Sequence, residues 1–427
     1  MRLPFLIFSD KSGKIYSHPF LMMAGTSLNN FSIPKENELL KLPRGSSLFY
    51  LPHRIPIGFN PDTKSFEPLF EFKGKKVFSV GAFLIPAYLR LYNPAYSIKQ
   101  KTTLPLWAYS ACGFYRGNFY VAGLRVDSRV RQSPRFYDNS LVRHKVKEFS
   151  RLYPQNRLYA HLANCALNYN CLAAKNLFLE RWEAPLPTSR FCNARCIGCL
   201  SHQESDCLSS HQRINFRPTP EEIVQVILHH FQNAKEAITS FGQGCEGEPL
   251  LEEGVITEAI SKVREKTARG TINMNTNASI PQRIELLCKA GIDSFRVSLN
   301  SPQEKFYNLY FKPRGYRFAD VLKSIAIAKK HNKFVSINLF VFPGFSDSQE
   351  EIGALIKFIK NTGIDMIQWR NLNIDPDYYL RILPYKKLKP QGILLLLKTI
   401  KKQFPYLKMG YFNLPKEQFK SFKNVIE

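Results

Sequence analysis

The chain has 427 residues, 44% of them apolar and 22% charged, with a formal net charge of +26. That balance excludes an intrinsically disordered chain, and the length suits two or three domains with cores of their own. No run of about 18 apolar residues occurs, so no membrane span is expected, and nine cysteines in a chain this long do not read as a small disulfide-stapled secreted fold but as a reduced, cytoplasmic protein.

The charge is uneven. Residues 1–150 carry 22 Lys and Arg against 9 Asp and Glu, residues 186–385 carry 24 against 21, and residues 386–427 carry 10 against 2. Basic ends favour anionic partners such as RNA or an acidic peptide, and read equally well as lysine-coated surface. The first residues, "MRLPFLIFSD", are too short an apolar run for a signal peptide. Residues 1–150 then read as a β-rich basic domain: "SSLFYL", "KVFSVGAFLI" and "FYVAGLRV" alternate with turn signals, and Gly117-Asn118 marks a hairpin. The pattern turns helical from Val142 to Arg181, which makes residues 151–183 a helical connector.

Residues 184–385 alternate strand-like and helix-like pieces. "TPEEIVQVILHHF" is a helix with Thr219 and Glu222 placed as a capping box. The strands are "EAITSFGQG", "TINMNTN", "SFRVSLN", "FVSINLFVFPG" and "DMIQWRNLNI", preceded by the extended "EAPLPTS". Six βα-like units predict an α/β fold: a partial (βα)6 TIM-like barrel with a β-rich N-terminal domain and a C-terminal helical extension over residues 386–427. "KKLKPQGILLLLKTIKKQF" in that extension reads as an amphipathic helix with its lysines in water, or as a lysine and aromatic nucleic-acid surface.

In such a barrel the functional groups gather at the C-terminal ends of the strands. Cys192, Cys196 and Cys199 follow the first extended piece. A structural zinc site closes with four ligands and an ordinary iron–sulfur cube is held by four thiolates, so three cysteines leave one corner open. A distant fourth ligand, His202 or Cys207, would close a zinc site instead. Gly247-Glu248-Pro249 follows the second strand, Asn277 the third, and Ser298 and Asn300 the fourth. A Gly-Glu-Pro alone is a turn, and strand-end Ser and Asn commonly cap the next helix. Arg370, Asn371, Asn373 and Asp375 follow the last strand and either face a substrate or build a turn.

The Cys-x3-Cys-x2-Cys spacing, the Gly-Glu-Pro and the strand ends "NTNAS" and "SLNS" resemble the radical S-adenosylmethionine (radical SAM) enzymes over residues 184–380. "RWEAPLPTS", "FGQGCEGEPLL", "KPRGY" and "MIQWRNLNIDPDYYL" resemble one bacterial branch of that superfamily. The resemblance implies a [4Fe-4S] cluster on Cys192, Cys196 and Cys199, with S-adenosylmethionine at the fourth iron, reductive cleavage to a 5′-deoxyadenosyl radical, and abstraction of hydrogen from a substrate. It implies that Glu248, between Gly247 and Pro249, accepts from the cofactor's ammonium. Asn277, Ser298 and Asn300 would meet its ribose or carboxylate. It also implies an external electron donor such as flavodoxin or ferredoxin. The substrate stays open between RNA and a peptide or protein side chain. One residue departs from the family: Gly198 stands where an aromatic residue often helps seat adenine.

Four further cysteines, Cys165, Cys171, Cys207 and Cys245, are candidates for a second iron–sulfur cluster, provided the helix breaks near Asn168 to Asn170. Cys112 and Cys288 read as core. His229 and His230 are adjacent on a helix and read as surface, and Tyr307, Tyr310 and Phe311 as packing under a loop. The rival reading is a zinc-bearing nucleic-acid-binding protein without catalytic activity.

Overall fold

The computed structural model describes residues 3–203 and 209–421. Antiparallel strands dominate residues 5–125. Their largest sheet runs through Tyr88–Arg90, Asn118–Arg125, Cys112–Tyr115, Phe5–Ser9, Ile15–Met22, Arg54–Asn60 and Tyr96–Ile98. Ile7, Val80, Ala82, Cys112 and Val121 form one of its cores. The expected hairpin is present, one residue earlier than the Gly-Asn pair suggests. Tyr115 faces Asn118, and the two turn residues Arg116 and Gly117 both have positive φ (46° and 77°). That backbone matches the right-handed twist of the flanking strands.

Three helices follow: α1 (Asn139–Leu152), α2 (Arg157–Leu167) and α3 (Leu172–Phe178). Asp138 caps α1 through the Ser140 and Leu141 amides, and Asn156 caps α2 through Leu158 and Tyr159. The helix breaks between Cys165 and Cys171, with Asn170 at φ 52° between α2 and α3, which is the condition set for a second cluster but does not itself bring Cys171 to Cys165 and Cys245. The helices bury Phe149, Leu158, Leu162, Leu177 and Phe178 in the main core.

That core belongs to a parallel sheet of β1 (Arg181–Pro185), β2 (Lys235–Phe241), β3 (Thr271–Thr276), β4 (Ser294–Leu299), β5 (Phe334–Val341), β6 (Met366–Asn371) and β7 (Lys408–Gly410), hydrogen-bonded in that order. Its helices are α4 (Pro220–Asn233), α5 (Glu253–Lys266), α6 (Pro281–Ala290), α7 (Glu304–Phe311), α8 (Phe318–Lys330), α9 (Gln349–Thr362), α10 (Pro376–Ile382) and α11 (Ile393–Gln403). The fold is thus a partial TIM-like barrel. Every residue of β3 is buried, as a parallel strand covered on both faces must be. Thr219 and Glu222 form the capping box of α4, and α6 ends at Gly291 in the left-handed region.

The last residues complete the barrel. Helix α11 buries Ile393, Leu396, Leu397 and Ile400 and turns Lys398, Lys401 and Lys402 outward. Strand β7 pairs with β6 and is a seventh strand beyond the six that the hydrophobic pattern predicts. Past it, Asn413 donates to Glu183 Oε1 on β1 (2.7 Å) and accepts from Gln368 on β6 (2.7 Å). The Lys416 amide donates to Thr271 Oγ1 on β3, and Phe419 stacks on Phe334. This tail floors the barrel, opposite the rim.

His230 corrects the expectation of surface histidines. It is 0% exposed, bonds the Trp182 carbonyl at 3.0 Å, and burial pushes its pKa down to about 4. His229 pairs with Glu180 and Tyr153. Helix α4 is covered by the connector as well as by the barrel, so adjacent residues on it can both be occupied. Among the described residues, no helix is long and apolar enough to cross a membrane.

The N-terminal β region docks on the strand ends of β5 and β6. Arg54, buried, pairs with Asp375 (3.1 Å) and Asp377 (3.2 Å) at the start of α10. Asp375 also accepts the Leu104 amide. Arg90 donates to the Leu372 carbonyl, and Asn371 accepts the Arg90 amide and donates to the Tyr88 carbonyl. Removing one partner of a buried ion pair leaves the other charge uncompensated. Arg54→Ala should therefore cost about 3–5 kcal/mol, read as a lowered denaturant midpoint. A change under about 0.5 kcal/mol, the scale of a neutral surface substitution, would show that the pair does not hold the two parts together.

Candidate functional site

The loop after β1 has no helix or strand of its own between residues 186 and 203, so its position depends on what grips it. From one side the end of α7 does so. The Ile197 amide donates to the Tyr310 carbonyl (3.0 Å), Arg195 to Phe311 (2.9 Å), and Arg314 to the Asn193 carbonyl (2.9 Å). From the other side the loop after β2 closes on it: Gly247 N donates to Ser189 O (2.7 Å) and Glu248 N to Phe191 O (2.8 Å). A Cβ on Gly247 would stand 1.9 Å from the Phe191 carbonyl oxygen, so only glycine allows this approach. Gly198 has a similar reason: a Cβ there would lie 2.7 Å from the Tyr310 hydroxyl. Tyr307, Tyr310 and Phe311 are buried under this loop, as the sequence suggests.

Cys192, Cys196 and Cys199 are all half-buried free thiols on that loop. Burial pushes the Cys192 thiol up to about 12, and the charges of Glu248 and Cys199 add to the effect. Cys196 is raised by burial and then by the other two cysteines. Arg213 places a guanidinium nitrogen 3.6 Å from Cys199 Sγ. Three soft donors on one loop, coupled in charge to one another and to a buried carboxylate, are costly to ionise alone. A cationic iron centre removes that cost and takes thiolates as its natural ligands, so the donor set fits an iron–sulfur cluster.

Glu248 is 4% exposed and accepts from Thr276 Oγ1 (2.5 Å) and from the Asn277 (2.8 Å) and Leu250 (3.1 Å) amides. Burial raises its pKa to about 7 against the pull of those bonds. Asn277 donates to the Asn193 side chain, which donates in turn to Ser279. Gly247, Glu248 and Asn277 therefore meet the cysteine loop directly, and Pro249 lies buried at the start of the short turn that follows Glu248. Ser298 lies half-buried on β4, in register with Asn338 of β5. Asn300 is 1% exposed and holds the Phe306 carbonyl and the Tyr379 hydroxyl, with its Oδ1 unpartnered. Asn371 and Asp375 are taken up by the N-terminal region instead of facing the rim.

Residues 186–359 match the model of the Radical SAM superfamily. Over those residues the chain carries a radical SAM domain, the fold of a superfamily of enzymes. No curated protein matches it. Among solved structures, it is similar to anSMEcpe with bound AdoMet (17% identity over 45% of this chain and 51% of that one, TM-score 0.36). It is also similar to SuiB of Streptococcus suis (15% identity over 58% and 51%, TM-score 0.37). A third likeness is HydG, a maturase of the [FeFe]-hydrogenase (15% over 64% and 66%, TM-score 0.39). The chain spans about half the length of the first two.

Two residues of the radical SAM barrel escape a reading by motif. Glu246 is 4% exposed and its carboxylate collects four backbone amides, from Thr188, Ser189, Gly242 and Gln243. Its signal was position, an acid in the glycine-rich run from Gly242 to Gly247 at a strand end. Arg296 is the one charged residue of the strand "SFRVSL". It donates to Gln368 Oε1, which Arg370 also reaches, and burial followed by the Arg370 charge lowers its pKa to about 9. Of the four cysteines considered for a second cluster, Cys165 and Cys245 come together, joined by His161. Cys171 starts α3 outside that group, and Cys207 lies outside the described residues.

Gly247→Ala should force the two rim loops apart. S-adenosylmethionine binding should weaken at least about tenfold, ~1.4 kcal/mol, in a chain whose circular dichroism is unchanged. An unaltered dissociation constant would show that the close approach is dispensable.

Proposed function

We propose that Cys192, Cys196 and Cys199 hold a [4Fe-4S] cluster and that the chain cleaves S-adenosylmethionine reductively to take a hydrogen atom from a substrate. The observation that carries this reading is the gathering of three thiols, the Gly247–Glu248 loop and Asn277 at one rim of a radical SAM barrel. When bound, the reduced cluster supplies the electron that breaks the cofactor's carbon–sulfur bond. The chain supplies the rest. Its thiolates leave one iron without a protein ligand, Glu248 accepts the cofactor's ammonium with its remaining lone-pair capacity, and Ser298 meets the ribose or carboxylate. Asn277 fixes the cysteine loop beside them, and Asn300 acts one step back through Tyr379 and α7. The N-terminal β region covers the β5 and β6 side and limits access of water. A flavodoxin or ferredoxin would deliver the electron.

For the substrate, the basic excess of residues 1–150 and 386–427 favours RNA over a peptide side chain. Binding of RNA should then weaken steeply with salt, and a flat salt response would favour the peptide.

The reading predicts a brown, air-sensitive protein with about four iron per chain that forms 5′-deoxyadenosine when reduced with S-adenosylmethionine. Replacing Cys192, Cys196 and Cys199 with alanine should abolish both colour and product. A colourless wild-type chain holding zinc at these cysteines would instead support the nucleic-acid-binding rival. The Glu248 carboxyl ionises near pH 7, and only its charged form attracts an ammonium. Affinity for S-adenosylmethionine should therefore rise as pH goes from about 6 to about 8, and Glu248→Gln should flatten that rise. A rise that survives in Glu248→Gln would assign it to another group.

A further inference from the structure

His161 and Cys165 stand four residues apart on α2 and so share one face of the helix. That face meets Cys245, in the loop after β2. One imidazole nitrogen and the two sulfurs all lie within 4.8 Å of one another. His161 Nε2 is 3.6 Å from Cys165 Sγ. Cys165 is 1% and Cys245 5% exposed, and neither is in a disulfide.

These spacings choose between ligands. In a zinc tetrahedron, bonds of about 2.3 Å to sulfur and ~2.0–2.1 Å to nitrogen put neighbouring ligand atoms about 3.5 Å apart. The observed 3.6 Å edge already meets that value. A four-iron cube needs its cysteine sulfurs more widely spread, because each sits on a different iron and points away from the cube. Two thiolates with one imidazole are also a natural soft donor set for Zn2+.

We propose that His161, Cys165 and Cys245 bind one Zn2+ ion, with the fourth position left to water. The site goes beyond the function proposed above and does not depend on it. Three protein ligands and a water make an open site and not the closed four-ligand structural kind, and the ion would also tie two segments together. Cys245 adjoins Glu246, whose carboxylate gathers amides from both rim loops, and its carbonyl accepts the Ile214 amide at 2.8 Å. A metal there staples α2 of the connector to the loop that carries Glu246 and Glu248.

The test is the metal content of the full chain purified without oxygen from zinc-supplemented medium, together with Co2+ binding to the metal-stripped chain. About one zinc per chain is expected. It should persist in Cys288→Ser and in the variant lacking Cys192, Cys196 and Cys199. It should fall at least about tenfold in Cys165→Ser, Cys245→Ser and His161→Ala. In the variant lacking Cys192, Cys196 and Cys199, Co2+ should give the sulfur charge-transfer and intense d–d bands of a four-coordinate thiolate site, which the emptied cysteine motif cannot supply. Three results would overturn the proposal: no stoichiometric zinc and no cobalt spectrum, zinc lost only with the Cys192 motif, or a second iron cluster or Cys165–Cys245 disulfide in place of the ion. Failure of the cluster reading would leave the zinc result of the Cys192-motif variant unchanged, so the two proposals fail separately.

Discussion

Gly247 packs its backbone against the Phe191 carbonyl with no room for a side chain between them. Two amide bonds, from Gly247 and Glu248, zip the loops after β1 and β2 together at that point. The rest of the rim follows from the contact. Glu246 and Glu248 are carried inward, and among the described residues neither pairs with a cation. Their carboxylates are satisfied by backbone amides and the Thr276 hydroxyl instead. A buried carboxylate is tolerable only when it is hydrogen-bonded in this way, and even so burial holds both acids near neutral pH, at about 7. The strand ends of β1, β2 and β3 are thereby set by the polypeptide before any cofactor arrives.

Two additions complete the frame. The tail beyond β7 closes the floor, where Asn413 touches β1 and β6 together. The N-terminal β region closes the side at β5 and β6 through Arg54, Arg90 and Asn371. The polar groups inside the wall include Arg296, Gln368 and Arg370, and Asn338 Oδ1 has no partner among the described residues. Two guanidiniums converging on one glutamine oxygen give the interior a positive lean.

Features of short range were legible in the sequence. The Thr219–Glu222 cap, the hairpin at Gly117 and the glycine end of α6 each depend on residues a few positions apart. The cysteine spacing and the strand-end polar runs placed the rim for the same reason. Contacts between distant segments were not legible. Asn371 and Asp375 carry the polar character expected of substrate-facing groups, yet Asp375 answers to Arg54, 321 residues away. Strand β7 is three residues long and exists through its pairing with β6. His230 looked like surface because the connector that covers α4 lies some 50 residues upstream, Trp182 among its partners. Cys245 had no visible link to α2, since only folding brings His161 and Cys165 to it.

The central claim is that three thiolates at this rim leave one iron open beside Glu248. Electron paramagnetic resonance of the chemically reduced, oxygen-free chain tests it most directly, recorded before and after S-adenosylmethionine is added. The account predicts the signal of a single reduced [4Fe-4S] cluster whose shape changes when the cofactor binds. A signal indifferent to the cofactor, or none from a chain with its iron present, would contradict it.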